Sequence, residues 1–420
     1  MVTIFGMGYV GLTLALFFAK KGVKVIGYDI SEERINSLLS KKSYVLESGI
    51  DDLLASSIDK GLFLPKVLDK NTLDAETKLA FITIGTSLFN GSVRKSEERL
   101  FELCLQVDAA GFSTIVLRST VAVGTCKKIS SKLTNSKIVF APERTVEGVA
   151  MEELQHLPQI IGGENAQSMY EVESLFKLLE VQVLSTESWE EAELAKLACN
   201  TYRDYNFAFS NAMVGMANIQ NIDGNSVLKL ASQSYDRMPF MLPGPVSGPC
   251  LTKDTYILRQ SFSQSIDEAE LLILARSIND STNEKIISQI SCLAKTKKVS
   301  FWGTSFKSDP DTSDTRESHT LAIIKQLELN NFDIEVFDPY IDNEGKKELS
   351  HLIVTSPSLD QDRVIVFGSW PKWIQEFIAS DLVSDSIEGV TKYWCYPIKD
   401  SYKFNNSFRF GQILGQNKVI

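Results

Sequence analysis

The residues of this 420-residue chain best suited to covalent chemistry lie in Gly244-Pro245-Val246-Ser247-Gly248-Pro249-Cys250-Leu251-Thr252-Lys253-Asp254. Glycine and proline there impose turn conformations that bulky residues resist, and the apolar spacing from Leu251 to Leu258 predicts a helix start. Cys250 would then sit at the positive end of the helix dipole with Lys253 close by, which favours the thiolate, the nucleophilic form. The competing reading is a structural cysteine buried in a tight loop, a common place for a free thiol. Lys196 and Asn200 are four residues apart in a helical pattern, hence one turn apart on one face, and Arg203 and Asn211 continue that polar side. Glu143 and Glu147 have the same spacing in the loop Ala141-Pro142-Glu143-Arg144-Thr145-Val146-Glu147-Gly148. Solvated charges are the ordinary alternative for both pairs. Only three histidines occur (His156, His319, His351), none in a segment that otherwise looks like a site. Acid and base work therefore falls to carboxylates, lysine, hydroxyls or water.

Such groups need a scaffold, and the N-terminal sequence predicts one. The strand Val2-Thr3-Ile4-Phe5 runs into Gly6-Met7-Gly8-Tyr9-Val10-Gly11, then a helical run from Leu12 to Lys20 and a second strand from Lys24 to Asp29. This is G-x-G-x-x-G in the setting it requires. The first glycine permits the tight turn, the second lets a pyrophosphate approach the backbone, and the third lets helix and strand pack closely. The helix N-terminus supplies N–H groups to the phosphates. Asp29 is placed to bond both ribose hydroxyls and would repel a 2′-phosphate, so NAD rather than NADP is expected, with Arg34 nearby as the feature that argues the other way. Further strands are predicted at Leu79–Ile84, Thr114–Leu117, Lys137–Phe140, Gln159–Gly163 and Val181–Leu184, with helices at Ile50–Lys60 and Asn165–Leu179. The first two of these strands end in Gly85-Thr86-Ser87 and Arg118-Ser119-Thr120. In an open parallel sheet the ligand lies beyond the carboxyl ends of the strands, where those hydroxyls would be.

From Trp189 to about Gln220 one long helix is predicted, suited to a domain connector or dimer interface. A helical piece from Asp223 to Gln233 and a loop carrying Arg237 precede the cysteine turn. A helical run from Asp267 to Lys295 leads to the strand Lys298–Gly303, a helix from His319 to Asn330, and strands at Asp333–Phe337 and Arg363–Phe367. The alternation predicts a second doubly wound domain, without a second glycine motif. The stretch from Thr391 to Ile420 shows no clear pattern. The expected fold is α/β, with two doubly wound Rossmann-like domains joined by a long central helix. Its predicted parts are an NAD-binding domain over 1–187, a central helical and dimerisation domain over 188–285, and a C-terminal domain over 286–420. The length itself requires more than one core. A net charge of −10 without a long basic run argues against nucleic acid or an anionic membrane as main partner. Six scattered cysteines without a C-x-x-C pair, and no signal peptide or long apolar span, predict a cytoplasmic protein without a metal site.

Together these runs resemble the nucleotide-sugar 6-dehydrogenases, the family of UDP-glucose, GDP-mannose and UDP-N-acetylhexosamine dehydrogenases. The resemblance rests on Phe5 to Leu12, Arg118 to Thr125, Ala141 to Arg144, Leu194-Ala195-Lys196 through Asn200, and Cys250 to Asp254. Thr304-Ser305-Phe306-Lys307 and Asp314-Thr315-Arg316-Glu317-Ser318 add to it. The resemblance implies two successive hydride transfers from the 6-hydroxyl of a UDP-sugar to NAD, giving a uronic acid for surface polysaccharide precursors. It assigns Cys250 to a thiohemiacetal and then a thioester, and Asp254 with Thr120 to the water that serves as first base. Lys196 and Asn200 are assigned to the oxyanion, Glu147 to thioester hydrolysis and Glu143 to the site water. It further implies cofactor contacts from Gly6, Gly8, Tyr9, Val10, Gly11, Asp29, Arg34, Thr86, Ser119, Thr120 and Arg316. Substrate contacts are implied for Glu143, Arg144, Lys196, Asn200, Arg203, Arg237, Gly248, Phe306 and Lys307, and a homodimer through the long helix.

Substrate signals divide. Ala141-Pro142-Glu143-Arg144 and Asn200-Thr201-Tyr202-Arg203-Asp204 look like the UDP-N-acetylhexosamine branch, whereas Lys253-Asp254 and Glu147 look like the UDP-glucose branch. The first is preferred. Departures are Ser247-Gly248-Pro249 before the cysteine, Ala212 after Asn211, and the last sixty residues. Rival readings are a UDP-glucose 6-dehydrogenase, a one-step dehydrogenase with a structural Cys250, and a non-catalytic NAD-binding regulator. Intact Cys250, Lys196, Asn200 and Asp254 speak against the regulator.

Overall fold

Runs such as Val2-Thr3-Ile4-Phe5 are buried at every residue, as a parallel strand covered on both faces requires. The computed structural model describes residues 1–69, 73, 75–87, 94–237, 239–262, 266–379, 387, 389–396 and 407–412. In chain order the first elements are β1 (Val2–Phe5), α1 (Tyr9–Lys20), β2 (Val25–Asp29), α2 (Glu32–Leu39), α3 (Ile50–Asp59), β3 (Phe63–Val67), β4 (Leu79–Ile82) and α4 (Arg94–Ala109). Then come β5 (Thr114–Leu117), α5 (Thr125–Ser130), β6 (Lys137–Phe140), α6 (Ala150–His156), β7 (Gln159–Gly162), α7 (Ala166–Leu178), β8 (Val183–Thr186) and α8 (Trp189–Ile219). The remainder is α9 (Gly224–Ser232), α10 (Leu251–Gln260), α11 (Asp267–Asp280), α12 (Thr282–Leu293), β9 (Lys298–Trp302), α13 (His319–Leu329), β10 (Asp333–Phe337), α14 (Asn343–Leu349), β11 (Arg363–Phe367), α15 (Lys372–Ile378), β12 (Thr391–Trp394) and β13 (Ser407–Arg409).

The chain divides into two units, residues 1–199 with 256–265, and residues 200–255 with 266–420. In the first, the strands run in the order β3-β2-β1-β4-β5-β6-β7-β8. Its first six positions have the doubly wound order, whose reversal between β1 and β4 opens a crevice at the carboxyl ends of the strands. β7 is antiparallel to β6, meeting it at Phe140 and Gly162, and β8 is parallel to β7. Helix α1 is buried continuously from Gly11 to Ala19, and Phe18 packs edge-on against Phe81 of β4 and Phe176 of α7. The second unit has the order β10-β9-β11-β12-β13, all parallel. Its core includes Trp302, Phe367 and Trp394, the last two stacked with ring centroids 4.7 Å apart.

Several boundaries differ from the sequence expectation for identifiable reasons. The first helix begins at Tyr9, since Gly11 is itself helical. The run from Asp267 to Lys295 is two helices, because ψ at Ser281 is −9°, far from the helical value of about −42°. The predicted strand at Val181–Leu184 lies at Val183–Thr186. β3 went unrecognised because Pro65 interrupts its pattern; it is an edge strand, where a missing N–H is tolerated. β12 and β13 emerge from the stretch after Thr391 that showed no pattern, of which residues 397–406 and 413–420 lie outside those described.

The start of α10 is clamped by a buried ion pair. Asp204 on α8 meets Arg276 on α11 at 2.5 Å and accepts from Asn279 at 2.8 Å and from Thr255 at 3.2 Å. Arg276 also donates to the Leu251 carbonyl at 3.3 Å. Burial pushes the Asp204 carboxyl up, against the pull of Arg276 and its hydrogen bonds. Arg276→Ala strands that carboxyl without its cation and should cost about 3–5 kcal/mol in urea unfolding. A loss under about 1 kcal/mol, the range of an exposed pair, would refute the clamp.

Candidate active site

In the first unit the glycine turn follows β1 into the crevice beside β4. Gly6 has φ +95°, a conformation that side chains resist. A Cβ on Gly11 would lie 1.8 Å from the Gly6 carbonyl oxygen, so only glycine allows this helix–turn contact. A Cβ on Gly8 would meet nothing within 4 Å, leaving open space before the N-terminus of α1. Tight turn, open approach and close packing are the three features a pyrophosphate site needs. Asp29, at the end of β2, accepts from the Met7 amide at 2.7 Å and the Ser31 amide at 2.9 Å, and Arg34 stands 3.7 Å away. The residues present thus fit a dinucleotide, with Asp29 at the ribose position.

The hydroxyls expected to face a ligand are partly used within the fold. Thr86 donates to the Thr120 carbonyl at 2.7 Å and Ser119 to the Ile84 carbonyl at 2.6 Å. They tie the two loops beyond β4 and β5 together, and their oxygens remain available as acceptors. Glu143 is engaged as well. The fully buried Arg118 pairs with it, and the amides of Arg144 and Thr145 donate to it at 2.8 and 3.0 Å. Burial raises the Glu143 pKa, but Arg118 and these amides outweigh it and hold it below the usual range. Arg144 donates to the Pro158 carbonyl. Glu147 is half-buried in the same loop. That loop is fastened by Glu47, which accepts from Tyr9 and from the amides of Gly148 at 2.7 Å and Ala150 at 3.0 Å. Sequence reading missed Glu47, because its partners are far away in the chain. Val10 lies in the first turn of α1.

Helix α8 carries Lys196 and Asn200 one turn apart, both buried. Among the described residues no carboxylate pairs with Lys196. In the second unit Asn200 donates to Asp254 at 2.6 Å, and Lys253 reaches the other oxygen of that carboxylate at 2.7 Å. Asp254 is 1% exposed. Its amide donates to the Cys250 carbonyl at 3.0 Å, closing the first turn of α10, so the cysteine sits at the helix N-terminus as expected, and exposed rather than buried. Burial lowers the Lys253 pKa, but Asp254 and Cys250 more than reverse this and raise it. A cation one turn from an exposed thiol is a setting that favours a nucleophile.

Above that turn the second unit holds a cavity of about 890 Å³. Arg203, Ser247, Phe306, Lys307, Trp370 and Tyr396 are among its lining residues. Gly248 has φ +91°, and a Cβ there would lie 2.5 Å from the Phe306 ring, so turn and ring interlock. Arg237 is exposed, over the Tyr235 ring at 4.9 Å, and is not a lining residue. Arg316 is exposed and grips Asp314, its Nε donating at 2.8 Å. His319 stands behind the cavity wall rather than on it. It is 2% exposed and lies 3.0 Å from the hydroxyl of Ser247, a lining residue. Burial pushes its pKa down to about 4, with the Gly368 carbonyl pulling the other way. Its sequence neighbours gave no signal, since Ser247 is distant in the chain.

Residues 1–180 match the NAD binding domain of the UDP-glucose/GDP-mannose dehydrogenase family, residues 190–281 its central domain, and residues 300–375 its UDP binding domain. A UDP-N-acetyl-D-mannosamine dehydrogenase of Methanococcus vannielii is 30% identical over 368 residues, 84% of this chain and 82% of that one. The enzyme of the same name from Campylobacter jejuni is 27% identical, over 87% of this chain and 93% of its own. A UDP-D-ManNAc dehydrogenase structure from Pyrococcus horikoshii shares the fold, with TM-score 0.81 at 23% identity, covering 98% of this chain and 99% of that one. The cofactor is accordingly NAD.

The second and third glycines of the turn, Gly8 and Gly11, should separate binding from folding. Gly8→Ala keeps an ordinary backbone conformation and should fold normally while weakening NAD binding about tenfold or more by calorimetry, as the methyl fills the phosphate approach. Gly11→Ala should fail to fold stably. Unchanged NAD affinity in Gly8→Ala would contradict the assignment.

Proposed function

We propose, from the premise that this chain belongs to the UDP-glucose/GDP-mannose dehydrogenase family, that it oxidises the 6-hydroxyl of a UDP-N-acetylhexosamine twice, giving the UDP-uronic acid. UDP-N-acetylmannosamine is the first candidate, because the relatives above are named for it. The observation that carries the reading is the buried Asp254 held between Asn200 and Lys253, one helical turn beyond an exposed Cys250.

The glycine turn, Asp29 and the N-terminus of α1 would hold the cofactor. When bound, NAD supplies the oxidant for both steps, accepting one hydride in each. Asp254, through a water, takes the hydroxyl proton as the alcohol becomes an aldehyde. Cys250 then forms a C–S bond to the aldehyde carbon, and the carbonyl oxygen takes up a proton, giving a thiohemiacetal. Oxidation converts this adduct to a thioester. Water adds to its carbonyl, the C–S bond breaks, and the carboxylate and the free thiol result. Asn200 donates to the oxygen that becomes negative, a role that preorganised donors fill at little cost. Lys196 is assigned the same role, Thr120 the positioning of the first water, and Glu147 the activation of the hydrolytic one. Glu143, locked by Arg118, supports the loop that carries Glu147. Arg203, Phe306 and Lys307 line the cavity proposed for the UDP-sugar, where cations suit the diphosphate and aromatic faces suit the base.

The same reading assigns NAD binding to residues 1–187, the central catalytic and dimerisation part to 188–285, and UDP-sugar binding to 286–420. A homodimer through α8 accords with the exposed Tyr202, Phe209, Met216 and Ile219 on that helix. Among the described residues no helix is long and apolar enough to cross a membrane, and we place the enzyme in the cytoplasm.

Purified protein given NAD and a panel of UDP-sugars should form two NADH per sugar, fastest with a UDP-N-acetylhexosamine. One NADH with free aldehyde would remove the covalent step, and no turnover with any nucleotide sugar would favour a regulator. Cys250→Ser should abolish acid formation, and Asn200→Ala should lower kcat roughly a hundredfold. Acid output that survives Cys250→Ser unchanged would end the assignment of the nucleophile.

A further inference from the structure

The turn that presents Cys250 is held by a residue that the reaction itself does not use. His319 opens α13 and is buried, with Nε2 2.7 Å from the Gly368 carbonyl oxygen just after β11. A carbonyl only accepts, so Nε2 carries the proton, and Nδ1 of the neutral ring is left as an acceptor. Two hydroxyls converge on it, Ser247 at 3.0 Å and Tyr396 at 3.4 Å. Each also reaches a backbone carbonyl, Ser247 that of Phe306 at 2.8 Å and Tyr396 that of Pro245 at 3.0 Å. Two protons therefore serve three acceptors. If Ser247 turns to the ring, Tyr396 holds Pro245. If Tyr396 turns to the ring, Ser247 holds Phe306. In either arrangement Nδ1 is satisfied and the cysteine turn stays anchored. Three segments meet at this imidazole: the cysteine turn, the residue after β11, and Tyr396, the second residue after β12. Movement of the turn toward Phe306 is blocked at Gly248, and the ring contact joins the Gly248 amide bond to the Glu317 carbonyl at 3.1 Å and the Asn211 bonds to Gly244 in opposing movement away from it.

We propose that His319 is a positioning residue for Cys250: its Nδ1, by accepting from Ser247, with Tyr396 as the alternative donor, helps fix the cysteine turn against the wall of the substrate cavity. This rests on the reading of Cys250 as nucleophile. A cysteine turn free to shift would still bind the UDP-sugar but would reach the aldehyde carbon in fewer encounters, a loss that falls on kcat.

His319→Gln places an amide N–H near the Nε2 position but no acceptor at Nδ1, whereas His319→Asn places an oxygen near Nδ1. The measurements are kcat and KM for the UDP-sugar, and the rate of Cys250 alkylation by iodoacetamide without substrate, read by peptide mass so that the exposed Cys292 is counted separately. His319→Gln should lower kcat about tenfold with KM within about twofold, and shift Cys250 alkylation severalfold. His319→Asn should recover most of both. Ser247→Ala should reproduce the His319→Gln effects, and the double variant should be little worse than either single one. Unchanged kcat and alkylation in His319→Gln, equal losses in both His319 variants that track melting temperature, or additive losses in the double variant would each overturn the proposal. Should the His319 variants not fold, Ser247→Ala against Tyr396→Phe/Ser247→Ala carries the same comparison. If wild-type protein oxidises no UDP-sugar, the functional reading falls, while the alkylation rates still decide whether His319 positions the thiol.

Discussion

A carboxyl group at 1% exposure must find its partners inside the protein, and Asp254 finds them in Asn200 and Lys253. The Asn200 bond ties the first turn of α10 to α8, the Lys253 bond braces it within α10, and the Cys250 carbonyl closes that turn from the other side. The Asp204–Arg276 pair repeats the connection one turn further along α8, through Thr255 and the Leu251 carbonyl. The exposed thiol is thus carried by a helix start whose polar groups are nearly all engaged. Rigidity of this kind keeps a nucleophile at a defined place without burying it.

The cysteine turn is defined equally from its other end. Gly248 accepts the Phe306 ring where a side chain would stand, and His319 collects Ser247 and Tyr396. Ser247, Phe306 and Tyr396 line the cavity, so the wall that would receive a nucleotide sugar and the turn that carries the thiol share their hydrogen bonds. A change to one reaches the other through contacts a few ångströms long.

In the first unit, steric exclusion plays the corresponding part. Gly11 must be glycine because a backbone oxygen occupies the place of its side chain, and Gly8 must be small because a ligand would. Glu143 shows the limit of reading roles from residue type. A loop carboxylate at the edge of a parallel sheet suggested site chemistry, yet Arg118 and two amides engage it, so its first effect is to shape the loop that bears Glu147.

The sequence by itself determined the α/β alternation, the glycine turn with Asp29, the long helix, and the thiol with its Lys-Asp pair, because each is local: strand and helix periods, a three-glycine spacing, and an i to i+4 relation lie within a few residues. The edge strand β3 and the strands β12 and β13 were not legible, since proline or polar residues break the period and only pairing with a neighbouring strand makes them strands. Which polar groups became partners was likewise decided by tertiary structure. Asn200 with Asp254, Arg118 with Glu143, Glu47 with Gly148, and His319 with Ser247 are separated by tens of residues. Nothing in their local sequence encodes the pairing; it follows from burial, which leaves each polar group no water and makes the nearest complementary atom its partner.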